Sequence, residues 1–317
     1  MDSSFAFVFP GQGSQAVGML DGWMDHPVVR TALDEASTAL GEDIGALIHA
    51  GPKEALALTT NTQPVMLVAG VAAWRVWQAE GGVQPAWVAG HSLGEYSALV
   101  AAGVLTLSDA APLVRFRAQA MQEAVPVGSG GMAAVLGLPA DTVKQICQEV
   151  TAAYPESAQE VVEAVNFNDI LQTVIAGSKA AVDAACEALK KAGAKRALLL
   201  PVSAPFHSSL MKPAADRLKA QLAATPFQAP QIALLNNVDV TVQSDADAIR
   251  DALYRQAFGP VRWVETIQFL QAQGLTHIVE CGPGKVLTGM NKRIAPDVVA
   301  AALYDPATLT EVKELLV

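Results

Sequence analysis

The sequence contains one short pattern that can activate a serine as a nucleophile. Residues 90–94 read GHSLG and fit G-x-S-x-G. In that pattern the serine lies on a sharp turn between a strand and a helix, and the helix N-terminus offers backbone N–H groups to an oxyanion. Because a short apolar strand precedes the segment and a helical pattern follows it, we interpret Ser92 as a nucleophile in preference to a structural turn.

A serine hydroxyl is a weak nucleophile without a base, so the chemistry requires a partner such as histidine. Of the five histidines, His207 follows a proline-containing loop between two predicted domains, where we expect an exposed side chain. His91 adjoins Ser92, but its side chain should point away from the hydroxyl across the turn. The residues alone do not decide whether His207 is the base. The other three are interpreted as surface residues (His26 and His49) and a core residue (His277).

Two further segments carry groups that could bind an anion. The loop at residues 10–15 reads PGQGSQ but lacks both GxGxxG and a P-loop lysine, so a phosphate site is a weak interpretation. Two other interpretations of this loop are not decided by the residues. It is either a plain turn or a loop in which Gln12 supplies a backbone N–H to an oxyanion hole. Arg115 and Arg117 lie two positions apart on a predicted helix and face different sides. One of the two could therefore face inward, but a buried arginine needs an anionic partner. The residues alone favour a solvated side chain for Arg117.

Composition excludes several classes of protein. The 317 residues are 51% hydrophobic and 16% charged, the opposite of a disordered chain. The net charge of −10 disfavours a nucleic-acid binder, which needs a basic face. Three widely separated cysteines fit neither a disulfide framework nor a zinc site, and we expect no metal and no cofactor. Because no apolar run reaches the ~18 residues of a membrane span and no basic residue precedes Arg30, we expect a soluble, cytoplasmic protein without a signal peptide.

The elements that must position these residues alternate between strands and helices. This alternation predicts an α/β fold with a parallel sheet. The predicted strands lie at 5–9, 87–90, 232–236 and 275–281. The predicted helices lie at 62–80, with Thr62 as N-cap, and at 94–103, 108–124, 213–224, 247–258 and 261–273.

A glycine-rich break at 126–131 marks a change of pattern. Beyond it, strands are predicted at 132–138, 161–166, 172–176 and 196–202, with helices at 140–154 and 180–192. The order β-α-β-β-α-β is that of a ferredoxin-like unit. We therefore predict one domain from residues 1–128 and 204–317, with a ferredoxin-like subdomain inserted at 129–203.

Taken together, the motifs resemble one family, the malonyl-CoA:acyl carrier protein transacylases of bacterial type II fatty acid synthesis. The matching segments occur in the family's order and cover essentially the whole chain. They lie at 9–15, 61–64, 90–96, 117–122, 165–168, 207–208, 236–238, 259–263 and 282–285. Jointly they are specific, whereas G-x-S-x-G alone is not.

The resemblance implies an α/β-hydrolase-like large domain, the ferredoxin-like insert, and an active site in the cleft between them. It implies Ser92 as nucleophile and His207 as general base and acid, oriented by a backbone carbonyl that matches Gln256. The substrates would be malonyl-CoA and the phosphopantetheine thiol of acyl carrier protein, and the chain a monomer that binds neither nucleic acid nor membrane.

The remaining site residues also come from the resemblance. It implies an oxyanion hole formed by the backbone N–H groups of Gln12 and Leu93. It implies that Arg117 holds the malonyl carboxylate, which replaces the solvated interpretation, and that Asn168 lies near the site. The chain departs from the family's pattern at residues 169–172 (DILQ) and at two further positions that affect the shape of the cleft: Ala118 and Phe206.

Docking of an acidic carrier protein requires a local basic patch on this acidic chain. The candidates on the insert are Lys190, Lys191, Lys195 and Arg196, and those on the larger domain are Lys285, Lys292 and Arg293. Scattered solvated side chains are the alternative interpretation of both clusters.

Other functions share parts of this pattern. A serine hydrolase would normally add an HGGG-type motif, which is absent, and a hydrolase of misloaded acyl groups is disfavoured by Arg117. A carrier-binding module without catalysis would not need serine, histidine and arginine together. A stand-alone acyltransferase that serves a polyketide synthase shares every motif and stays open.

Overall fold

The computed structural model describes residues 4–202 and 204–316. Within them the strands are β1 (Phe5–Phe9), β2 (Trp87–Gly90), β3 (Gly130–Leu136), β4 (Val162–Asp169), β5 (Gln172–Ser178), β6 (Arg196–Leu199), β7 (Ala233–Leu235), β8 (His277–Cys281) and β9 (Val299–Leu303). The α-helices are α1 (Pro27–Leu40), α2 (Ile44–Ala50), α3 (Lys53–Leu56), α4 (Thr59–Ala79), α5 (Gly94–Ala101), α6 (Leu107–Gln122), α7 (Ala140–Ala152), α8 (Lys179–Lys191), α9 (Lys212–Ala224), α10 (Ala246–Gln256), α11 (Trp263–Ala272), α12 (Val286–Ile294) and α13 (Pro306–Leu315). The predicted domain boundaries at 1, 203 and 317 lie outside the described residues.

Five parallel strands form the larger sheet, in the order β7-β2-β1-β8-β9. The central strand β1 reads FAFVF and is buried throughout, as expected for a parallel sheet that is covered on both faces. Parallel strands end at the same edge, so the loops that follow β1 and β2 meet there. The backbone N–H of His91 donates a 2.9 Å hydrogen bond to the carbonyl oxygen of Phe9. The predicted α/β class with a parallel sheet is confirmed.

The helix α4 packs against this sheet and is buried along most of its length. Of its 21 residues, 16 are buried, which is the pattern of a helix enclosed by other elements. The rings of Trp74 and Trp77 meet that of Phe7 on β1 edge to face, with centroids 5.7 and 5.3 Å apart. The helix thereby fixes the strand whose end carries the 10–15 loop.

The predicted start of α4 is wrong by three residues. The helix begins at Thr59, with Leu58 as its N-cap. Thr62 lies within the first turn and is buried, and its hydroxyl donates to the carbonyl oxygens of Leu56 and Leu58. A threonine hydroxyl can bond backward to a carbonyl four residues earlier, so the residue type does not by itself mark a helix start.

The second sheet is antiparallel, in the order β4-β5-β3-β6. Its elements follow the chain order strand, helix, strand, strand, helix, strand, with α7 and α8 as the helices. Side chains alternate between the faces of a strand. On β5, Ile175 packs in the core that includes residues of α7 and α8, whereas Val174 faces the cleft toward the larger sheet.

Several elements have no counterpart in the sequence predictions. They are α1, α2, α3, α12, β9 and α13. In addition, no helix in residues 4–202 and 204–316 has the length and apolar character needed to span a membrane.

Candidate active site

The turn between β2 and α5 holds Ser92 in a strained position. Its φ is 53°, in the left-handed region that costs a non-glycine residue energy. The flanking glycines are sterically required. A Cβ on Gly90 would lie 2.0 Å from the backbone carbonyl of Gly94, and a Cβ on Gly94 would lie 2.0 Å from the carbonyl oxygen of Phe9. The small residues of the motif therefore allow the serine to stand at the end of the strand.

His207 lies beside this serine. Its Nε2 is 2.7 Å from Oγ of Ser92, and its Nδ1 is 2.9 Å from the backbone carbonyl oxygen of Gln256. Because a carbonyl only accepts, Nδ1 carries the proton and Nε2 is left as the acceptor for the serine hydroxyl. The expected exposure of His207 is wrong, since the side chain is buried with 4% exposed.

The environment of His207 favours its neutral form. Burial, and after it the nearby Arg117 cation, lower the pKa of His207 to about 3. A neutral imidazole at neutral pH can accept the proton of Ser92.

Arg117 is enclosed, not solvated. It is 2% exposed, and its guanidinium donates from Nη1 to Oε1 of Gln63 at 2.7 Å and from Nη2 to Oε1 of Gln256 at 3.0 Å. Its Nη2 also lies 3.3 Å from Oγ of Ser92. All three partners are neutral, and its Nε–H has no hydrogen-bond partner among the described residues. A buried cation with an unused donor beside Oγ of Ser92 is suited to bind an anionic group.

Arg115 faces a different side, as the two-residue spacing predicts. Its guanidinium donates to the side-chain oxygen of Asn61 and pairs with Glu42.

Gln12 and Leu93 border the same cleft as Ser92. The loop of Gln12 lies directly against the nucleophile turn, because a Cβ on Gly11 would be 2.5 Å from the carbonyl oxygen of His91. In the described part of the chain, no hydrogen bond uses the backbone N–H of Gln12 or of Leu93. Both groups are thus available to an oxygen atom held above the serine.

Asn168 binds the histidine that adjoins Ser92. Its Oδ1 lies 2.7 Å from Nε2 of His91, whereas the partners of Oγ of Ser92 among the described residues are His207 and Arg117. His277 differs from the expected core position. It is half-buried at the start of β8, where its Nδ1 bonds to Oγ1 of Thr276.

The cleft between the two sheets has a volume of about 430 Å³. Ser92, His207 and Arg117 border this cleft, and Met132 and Val174 of the antiparallel sheet form an apolar part of its wall. Phe206 also lines this cleft, whereas Ala118 is buried elsewhere on α6. The DILQ segment forms the turn from β4 to β5, in which Ile170 and Leu171 are exposed.

Three polar residues of the site have no predicted role in the sequence analysis. Gln63 binds Arg117, while Glu95 and Asn237 lie fully buried beneath the serine. All three fall inside segments that carry the family resemblance, at 61–64, 90–96 and 236–238. Position within these segments is the signal by which the sequence could have indicated them. Their burial and their partners were not predictable, because the partners are distant in the chain.

Known proteins are similar to this chain over nearly its whole length. Residues 6–303 match the family described as the acyl transferase domain. The malonyl CoA-acyl carrier protein transacylases of Salmonella typhimurium and Escherichia coli K12 are 54% and 52% identical to the chain, covering 97% and 99% of it and 98% and 100% of their own lengths.

Solved structures give the same result. The acyl-carrier-protein S-malonyltransferase of Burkholderia pseudomallei is 62% identical, with a TM-score of 0.95 and coverage of 98% of this chain and 99% of that one. A malonyl-transacylase solved in complex with a type II polyketide acyl-carrier protein is 50% identical, with a TM-score of 0.95 and coverage of 99% and 100%. The chain therefore belongs to the acyl transferase domain family and, within it, to the malonyl CoA-acyl carrier protein transacylases.

Proposed function

We propose that this chain transfers the malonyl group of malonyl-CoA to the phosphopantetheine thiol of acyl carrier protein through a malonyl-Ser92 intermediate. One observation carries the assignment of roles. Oγ of Ser92 lies 2.7 Å from Nε2 of His207 and 3.3 Å from Nη2 of the buried Arg117. A nucleophile, its base and a cation for the acyl group thus meet at one oxygen atom.

In the first half-reaction Oγ of Ser92 attacks the thioester carbonyl carbon of malonyl-CoA. Nε2 of His207 takes the hydroxyl proton as the C–O bond forms. The C–S bond then breaks, and the same proton passes from His207 to the departing CoA sulfur. Malonyl-serine and free CoA are the products. The thiol of acyl carrier protein reverses these steps on the ester and regenerates the serine hydroxyl.

The oxyanion of each tetrahedral intermediate would be held by the backbone N–H groups of Gln12 and Leu93. Their position at the cleft beside Ser92, with no internal hydrogen-bond partner in the described part of the chain, supports this role. Such donors contribute about 3–4 kcal/mol each to transition-state stabilisation in comparable sites.

Selectivity for malonyl would come from Arg117. A malonyl carboxylate can pair with the guanidinium, including its unused Nε–H, whereas acetyl brings no anionic group to it. Sites built to bind a charged or polar group discriminate more strongly than sites that only measure size. Gln256 would orient His207 through its carbonyl oxygen and Arg117 through its side chain, and Asn168 would hold the ring of His91 at the edge of the cleft.

We also infer the finer architecture. The antiparallel order β4-β5-β3-β6 with two helices supports a ferredoxin-like insert at residues 129–203. The nucleophile turn after a strand of the parallel sheet supports an α/β-hydrolase-like domain from residues 1–128 and 204–317. Cytoplasmic location and a monomeric state stay predictions of the sequence.

The proposed transfer is tested by steady-state kinetics of the purified chain with malonyl-CoA and holo acyl carrier protein. A ping-pong mechanism predicts parallel lines in double-reciprocal plots at several carrier concentrations. Intersecting lines would contradict the malonyl-serine route. Malonyl-CoA consumption that is independent of carrier protein would indicate a hydrolase.

The carrier protein could belong to fatty acid or polyketide synthesis, because relatives of both kinds match the chain. We propose fatty acid synthesis, the process served by the family that the motifs resemble, to whose curated transacylases the chain is 54% and 52% identical. Comparing kcat/KM for one carrier protein of each kind decides between the two.

A further inference from the structure

Glu95 places a carboxyl group inside the protein directly beneath the nucleophile. It lies in the first turn of α5, three residues after Ser92, and is 1% exposed. Its Oε2 accepts two hydrogen bonds of 3.0 Å, one from the backbone N–H of Asn237 and one from Nε2 of Gln256. The proposed mechanism gives this carboxyl group no task.

Through Asn237, Glu95 is connected to both sides of the nucleophile turn. Oδ1 of Asn237 accepts the N–H of Ser92 at 2.7 Å, and its Nδ2 donates to the carbonyl oxygen of Gly90 at 2.5 Å. These bonds hold a serine whose φ is 53°, a conformation that persists only where its surroundings enforce it.

Through Gln256, Glu95 is connected to the cation of the site. Nε2 of Gln256 donates to Glu95 and to the carbonyl oxygen of Ser92, both at 3.0 Å, and its Oε1 accepts from Arg117. The oxygen and nitrogen of an amide exchange places when the group rotates by half a turn. Rotation here would aim an NH2 group at the guanidinium and leave Arg117 facing a donor.

We propose that Glu95 is a positioning residue for acyl selectivity: its Oε2 fixes the direction of the Gln256 amide, and that amide fixes the guanidinium of Arg117 for the acyl carboxylate. This role rests on the proposed function. It differs from a catalytic role, because Glu95 does not contact the reacting atoms.

The acceptor oxygen of Glu95, and not its charge, orients the Gln256 amide. Burial raises the pKa of Glu95 to about 7, against the opposing effects of the Gln256 and Asn237 hydrogen bonds and of Arg117. The group therefore titrates near neutral pH, and either form retains an oxygen that can accept. Glu95→Gln keeps that oxygen and removes the charge, whereas Glu95→Ala removes both.

The experiment measures the rates of Ser92 acylation by malonyl-CoA and by acetyl-CoA, and their ratio, in the wild type and in each variant. Glu95→Ala should lower the malonyl-to-acetyl ratio at least about tenfold, the size of a lost hydrogen bond to a charged group. Glu95→Gln should hold the ratio within about threefold of the wild type. A matched control is Glu35→Ala, which removes a glutamate bonded to Arg75 and Ser108 away from the cleft and should leave the ratio unchanged.

The malonyl-to-acetyl ratio distinguishes a positioning role of Glu95 from general support of the fold. If both rates fall equally in Glu95→Ala, or if Glu95→Gln loses selectivity as strongly as Glu95→Ala, the proposal is wrong. Should Glu95→Ala not be recovered folded, Glu95→Asp replaces it, because the shorter side chain withdraws the oxygen from Gln256 and the same ratio decides. A wild type that forms no malonyl adduct would overturn the proposed function instead.

Discussion

The Nδ1 atom of His207 donates a 2.9 Å hydrogen bond to the backbone carbonyl oxygen of Gln256. This bond fixes the tautomer in which Nε2 faces the hydroxyl of Ser92 without a proton. A serine triad normally places a carboxylate at this position, where it stabilises the imidazolium that forms. A carbonyl oxygen orients the ring but supplies less charge, so its hydrogen bond raises the pKa of His207 by less than burial and Arg117 lower it.

Acylation by malonyl-CoA should stay fast in mild acid. Burial and Arg117 hold the pKa of His207 at about 3, so the neutral base persists as the pH falls through the ordinary histidine value of 6.5. We expect kcat/KM for the first half-reaction at pH 5.5 to lie within about twofold of its value at pH 8, whereas an ordinary histidine would lose about tenfold. Stopped-flow measurement of CoA release checks this, and an acid limb centred near pH 6.5 would contradict it.

Arg117→Ala should abolish the preference for malonyl. Loss of the buried guanidinium removes the partner of the malonyl carboxylate, so malonyl transfer should fall more than about 100-fold while acetyl transfer changes far less. Arg115→Ala is the control, because the side chain of Arg115 extends from the same helix toward Asn61. This variant should retain the preference for malonyl. Equal losses for both acyl groups in Arg117→Ala would contradict its role.

Gly90→Ala should destabilise the fold and the nucleophile turn. The added Cβ would lie 2.0 Å from backbone atoms of Gly94, which cannot move without breaking the turn. We expect the free energy of unfolding to fall by about 3 kcal/mol or more, measured by urea titration. Gly131→Ala is the control, because a Cβ there meets no atom within 4 Å. Comparable stability of the two variants would show that the turn has room to relax.

Reversing the charges of the two basic clusters should weaken the docking of acyl carrier protein without changing the acylation of Ser92. The seven cations of the two predicted clusters are exposed, although Lys190 pairs with Glu187 and Arg293 pairs with Asp169. Reversing Lys285 and Lys292 together should raise the KM for acyl carrier protein at least about threefold and leave Ser92 acylation unchanged.

The corresponding double reversal on the insert, at Lys195 and Arg196, tests the other cluster in the same way. The double reversal Arg30→Glu and Lys53→Glu, at two exposed residues outside both clusters, controls for the change in net charge. A cluster whose reversal leaves this KM at the wild-type value does not take part in docking.

The sequence predicted the parts of the site that depend on local geometry. The strand, turn and helix around Ser92 follow from small residues at 90 and 94, and the paired arginines on α6 face apart as their spacing requires. The meeting of Ser92 and His207 was an expectation from resemblance, because 115 residues separate them and no local pattern joins them.

Burial by elements that are distant in the chain was not predictable in the same way. His207 was expected to be exposed and is enclosed, since its surroundings come from distant elements. Glu95 lies within a motif noted in the sequence, yet its partners Asn237 and Gln256 follow 142 and 161 positions later. The contacts of the Glu95 carboxyl group with these two amides form only in the folded chain, so the sequence does not reveal its role.

The most direct test of the account is intact-protein mass spectrometry after brief incubation with malonyl-CoA, and separately with acetyl-CoA, using Ser92→Ala as the control. We predict a malonyl adduct on the wild type alone, little acetyl adduct, and discharge of the malonyl group when holo acyl carrier protein is added. Release of CoA without an adduct, or an adduct that persists on Ser92→Ala, would contradict Ser92 as the nucleophile that carries the malonyl group to the carrier protein.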